Sequence, residues 1–159
     1  MADTQKYPYA TYLNERFGAL ELVDVPALVA AVTDDWYNQT LCRVNDSVVR
    51  LGVMQGEYHW HKHDDLDEFF FTLEGTFLVD LEDRTVELGP RQGFVVPKGV
   101  VHRTRAPERC VILMFEGAEI VPTGDDLRTE YQEMAKDEVR EADALKWSEA
   151  TIGDVDDPD

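Results

Sequence analysis

The stretch Glu68-Phe69-Phe70-Phe71-Thr72-Leu73-Glu74-Gly75-Thr76-Phe77-Leu78-Val79-Asp80-Leu81-Glu82-Asp83-Arg84-Thr85-Val86-Glu87-Leu88 decides the fold class. It is rich in aromatic and β-branched residues, and Gly75 and Glu82-Asp83 break it into short runs that read as strands over 68–74, 76–81 and 84–88. The same texture extends in both directions. Upstream, Leu41–Val44 and Ser47–Val53 flank Asn45-Asp46, the signature of two strands joined by a tight turn. Downstream, strands are expected at 94–96, 101–105 and 110–116, separated by Pro97-Lys98-Gly99 and Ala106-Pro107. Many short strands at regular spacing predict an all-β sandwich or small barrel.

The flanks read differently. Residues 1–23 suggest an irregular arm with scattered aromatics, followed by a short helix capped by Asp24 with Pro26 in its first turn. Beyond Thr123-Gly124, Leu127, Tyr131, Met134, Ala142 and Leu145 recur at helical spacing. The expected organisation is an arm and helix over 1–35, a barrel over 36–122 and a helical, acidic extension over 123–159.

Composition narrows the function. The chain has 159 residues, 33 Asp+Glu against 15 Lys+Arg and a formal charge of −18. Half of that charge lies in residues 125–159. Such a surface is repelled by phosphate backbones and anionic lipid, so neither nucleic acid nor membrane is an expected partner. The first residues carry neither a basic nor an apolar leader segment, which points to a cytoplasmic protein. Cys42 and Cys110 form no CxxC and read as small buried hydrophobes.

All four histidines lie in two short segments. In His59-Trp60-His61-Lys62-His63 they alternate, so in a strand their rings share one face. Glu68 follows five residues later and opens an apolar strand, and His102 follows the Pro97–Gly99 turn. Imidazoles with one carboxylate make a donor set suited to Mn, Fe, Co, Ni or Zn.

Here the sequence resembles the cupin family. Gly56-x4-His61-x-His63-x4-Glu68-x6-Gly75 is similar to its first motif, and Gly93-x3-Pro97-x-Gly99-x2-His102 to its second. The likeness covers roughly residues 40–120 and is closest to single-domain cupin 2 proteins of the mannose-6-phosphate-isomerase-related type, through Glu68-Phe69-Phe70, residues 81–88 and residues 96–100. The resemblance implies a double-stranded β-helix, or jelly-roll, barrel. It also implies that His61, His63, Glu68 and His102 hold one divalent transition ion (Mn, Fe, Ni or Zn), and that the protein is a homodimer. The first motif is one residue shorter than usual before His61, and Arg91 and Ala106 stand where the second usually has Gly and Asn; neither change removes a ligand.

His59 lies on the same expected face and is a candidate acid/base or substrate contact, weighed against a plain hydrogen-bonding role at the barrel mouth. Tyr58, Trp60 and Lys62 are expected to point outward. Arg50, Arg103 and Arg105 are either anchors for an anionic substrate or partners of surface carboxylates. Asp64, Asp65 and Asp67 read as a solvated turn. The expected function is a metal-dependent enzyme acting on a small polar metabolite, a sugar or oxo acid, of isomerase, epimerase, lyase or dioxygenase type. The alternative is a non-catalytic metal- or small-ligand-binding module.

Overall fold

A computed structural model describes residues 10–118, all within one unit of the chain. The expected C-terminal extension over 123–159 lies outside the described residues. The elements are β1 (Ala10–Tyr12), α1 (Val25–Ala31), β2 (Trp36–Val44), β3 (Ser47–Glu57), β4 (Glu68–Glu74), β5 (Phe77–Leu81), β6 (Thr85–Leu88), β7 (Gly93–Val96) and β8 (His102–Gly117). No helix among them is long and apolar enough to cross a membrane.

One path of pairing runs β1-β2-β3-β8-β4-β7, and off it β5 pairs with β6 and with the first residues of β8. The 16-residue β8 links the two: His102–Arg105 pair with β5, while Val111–Phe115 pair with β4. Between these strands lies an apolar core of Met54, Phe70, Phe77, Val79, Leu88, Val96, Ile112 and Met114. These residues take every second position along their strands, as a sheet buried on one face requires. The intervening positions Leu41, Leu51, Val53 and Val111 pack on the outer side beneath Leu28, Val29 and Val32 of the helical segment. Two faces of one sheet are thus covered, the outer one by α1. The helix starts as expected: Asp24 accepts a hydrogen bond from the Ala27 amide at 3.0 Å, and Pro26 occupies its first turn.

Three expectations are corrected. The arm is not wholly irregular, because Ala10–Tyr12 pair in parallel with Tyr37–Gln39. The two strands expected at 101–105 and 110–116 are one strand with a bulge, since the β3 register jumps from Met54↔Cys110 to Gly56↔Ala106. The exposed Pro107–Arg109 segment, three residues against Gln55 alone, holds the two-residue excess, which lets a proline sit inside a strand without losing a ladder bond. Finally, β3 ends at Glu57, just after Gly56 takes φ +112°. The alternation expected to run through the histidines stops there, and Tyr58 turns inward to stack on Trp36 at 5.5 Å between ring centroids.

Candidate metal centre

The loss of the strand before His59 does not scatter the histidines. His61 makes a reciprocal backbone pair with His102, both N–H to O distances being 2.9 Å, and this bridge sets one motif against the other. The Pro97–Gly99 turn is fastened to the loop between the first ligands: the Gly99 amide donates to the His63 carbonyl at 2.7 Å and the Lys98 amide to Asp67 Oδ1 at 2.9 Å. Asp67 is therefore a structural link rather than part of a merely solvated turn.

These contacts bring His61, His63, Glu68 and His102 together, with one donor atom from each lying within 4.8 Å of the others. Glu68 and His102 are buried and the other two half-buried. Glu68 Oε2 lies 3.2 Å from His63 Nε2 and 3.3 Å from His102 Nε2. An ion about 2.0–2.2 Å from each donor keeps any two donors within about 4.4 Å, so a contraction of about half an ångström seats it.

The ring tautomers give an independent test of fit. His102 Nδ1 lies 3.0 Å from the Val100 carbonyl, and His61 Nδ1 lies 2.9 Å from the His59 carbonyl. A carbonyl only accepts, so each neutral ring carries its proton on Nδ1 and presents a bare lone pair at Nε2. For His102 that lone pair faces a Glu68 oxygen, an arrangement that only a proton or a cation between them makes favourable. Backbone carbonyls orienting ligand imidazoles are the usual outer support of a metal site. Burial, followed by the nearby His102, lowers the His61 pKa to about 3, so the ring is neutral and free to ligate at ordinary pH. Burial raises the Glu68 carboxyl, but a positive centre in the contact with His102 and then His63, whether a proton on the ring nitrogen or a cation in its place, outweighs it and holds the group below its ordinary value, ionised. The donor set therefore fits a divalent transition ion.

His59 is not brought into this group. Its ring lies over Tyr58, 3.9 Å between centroids and 5.6 Å from that of His61, and burial lowers its pKa to about 4. Its ring meets that of His61 edge-on, and its carbonyl lies against His61 Nδ1. Trp60 lies beneath the Arg103 guanidinium at 5.1 Å. Arg103 and Arg105 both bind Asp80: Arg105 donates through Nε and Nη2 at 2.6 and 2.8 Å, and Arg103 through Nε at 3.0 Å. They are partners of a carboxylate on the outer face, as one of the two sequence readings has it. A cavity of about 310 Å³ at the β3–β8 bulge, lined in part by Gln55, Glu57, Arg105 and Pro107, contains none of the four donors.

Arg50 differs. It lies on the core face of β3, opposite Met114, and its Nε is 2.5 Å from Glu116 Oε1. Sequence reading placed Glu116 only at a strand end. The alternation Cys110, Ile112, Met114, Glu116 was the signal that it points inward. Burial, then the Glu68 charge, raises the Glu116 carboxyl to about 7 against the opposing pull of Arg50.

Comparison with known proteins agrees with this geometry. Residues 48–116 match the cupin domain of the Cupin_2 family. The chain is 44% identical over 91 residues to the uncharacterized protein YdbB of Bacillus subtilis (strain 168), covering 57% of this chain and 80% of the relative. A cupin-2 domain-containing protein from Shewanella frigidimarina is 30% identical, with a TM-score of 0.58 over 60% of this chain and 94% of that one. Protein NMB1881 from Neisseria meningitidis is 28% identical, with a TM-score of 0.55 over 61% of this chain and 99% of its own. By strand order, by the clustered His/Glu donors and by these similarities, the chain belongs to the cupin family.

Proposed function

We propose that this protein is a metal-dependent enzyme acting on a small polar metabolite, a sugar or oxo acid, in an isomerisation, epimerisation, lyase or dioxygenase reaction. The carrying observation is the His102 Nε2 lone pair set against Glu68 within a four-donor cluster. His61, His63, Glu68 and His102 would hold one Mn, Fe, Ni or Zn ion. Such an ion supplies Lewis-acid polarisation of substrate oxygens or, for iron, oxygen chemistry. The chain's own residues position and exclude. The Val100 and His59 carbonyls fix two ligand rings, and Phe70, 6.2 Å from His102 between ring centroids, walls the inner side against water. His59, neutral at ordinary pH, is in the form that accepts a proton. The sequence likeness to mannose-6-phosphate-isomerase-related cupins favours the sugar branch. A cytoplasmic homodimer is part of the same reading.

A second reading is a binding module without turnover, favoured by His59 packing on Tyr58 and standing outside the four-donor group. Elemental analysis of protein purified without an affinity tag separates the outcomes. Near one transition ion per chain is expected, and it should be lost in His102→Ala. Absence of metal both as purified and after reconstitution overturns the proposal. Tight binding of one sugar or oxo acid that is returned unchanged, with no turnover across a panel of sugar phosphates, uronates and β-diketones, selects the module.

A further inference from the structure

The core wall of β3 and β8 is apolar through Met54, Ile112 and Met114, and next to Met114 it carries the buried Arg50. Phe69 pairs with Phe115, so the next step in register sets Glu68 beside Glu116. Cross-strand neighbours of this kind lie on the order of 5 Å apart. Arg50, 6% exposed, closes the row from β3. A buried ion pair is a costly way to fill a wall, and apolar side chains of similar volume serve stability equally well or better. Nor are the donors of Arg50 exhausted. Its contact with Glu116 is an ion pair without an aligned hydrogen bond at Nε, and no hydrogen bond from its side chain to another described residue is present. A guanidinium carries five N–H donors in a planar fork that matches an oxyacid.

We propose that Arg50, steadied by Glu116, anchors the carboxylate or phosphate group of the molecule taken at the metal donors, making the site selective for small anionic metabolites over neutral polyols. This rests on the metal-site reading above and adds the substrate class to it. The step is binding alone: the anion takes the open donors of the fork while the rest of the molecule reaches the donor cluster.

Calorimetric titration of wild type and Arg50→Met/Glu116→Leu tests it, with both charges removed together so that none is left buried alone. The probes are 2-oxoglutarate, glycerol 3-phosphate and erythritol, each against metal-free and Co(II)-loaded protein. At least one anion should bind wild type, and erythritol should not. The double variant should weaken that anion about 10- to 100-fold, while Co(II) affinity and the visible Co(II) spectrum stay unchanged. Which anion binds distinguishes carboxylate from phosphate. The proposal is overturned if the double variant binds as tightly as wild type, if erythritol matches the anions, or if neither form of wild type binds an anion. Failure of wild type to bind Co(II) sinks the metal reading, and the metal-free titrations still decide this one. If the double variant does not fold, Arg50→Gln/Glu116→Gln is read against the same outcomes.

Discussion

Asp80 offers a prediction whose size follows directly from geometry. Its carboxylate accepts from Arg103, twice from Arg105 and from Thr85 Oγ1 at 2.7 Å, spanning β5, β6 and β8. The side chain is 6% exposed, and the two arginines are 29% and 27% exposed. That places the cluster between a surface pair, worth at most about 1 kcal/mol, and a buried pair whose breakage costs about 3–5 kcal/mol. Asp80→Ala should therefore cost about 2–3 kcal/mol, or a drop of about 1 M in the urea midpoint at constant slope. The sign of the pH dependence follows. Arg105, ahead of burial acting the other way, holds the Asp80 carboxyl well below its ordinary value. A group depressed in the folded state stabilises fully above its unfolded pKa, about 3.9, and loses that contribution as pH falls through the folded value. The deficit of the variant should be constant from pH 7 to 5 and shrink below pH 4. Asp80 and Leu81 pair with Arg103 and His102, so the variant should also loosen metal binding. Urea titrations at pH 7, 5 and 3 decide the matter. A deficit under about 0.5 kcal/mol at pH 7, or one undiminished at pH 3, would refute the reasoning.

Two further outcomes are expected. Gly75→Ala should cost about 1–3 kcal/mol in the same urea assay, because residue 75 has φ +77° and an added Cβ would sit 2.9 Å from the Arg109 carbonyl oxygen; a loss below that range would show the turn to be pliable. Burial pushes the Cys110 thiol up to about 12, so iodoacetamide at pH 8 should leave it unmodified until denaturant is added, as read by mass spectrometry; rapid labelling of the folded protein would contradict the packing around it.

Strand placement was largely legible. The run 68–88 was expected as three strands, and β4 spans Glu68–Glu74 as expected, because alternation and turn residues are local signals. The failures were at joints. Ala106-Pro107 looked like a strand end, yet β8 passes through it, since an excess of residues against β3 absorbs the proline. The histidine run looked like a strand continued, yet Gly56 ends it. Among the arginines, nothing local distinguished Arg50 from Arg103 and Arg105. Their difference lies in which side of the sheet each faces, and that depends on register with Met114 and Asp80.

The sequence alone determined the alternation, the turns and the stock of imidazole and carboxylate donors, all properties of neighbours along the chain. Tertiary structure decided which of them meet. The His61–His102 bridge, the Asp67–Lys98 tie and the inward row of Glu68, Glu116 and Arg50 join positions 31 to 66 residues apart. Such encounters depend on strand pairing and on burial of one sheet face, and a one-residue slip in register would turn Arg50, Glu68 and Glu116 to the opposite side.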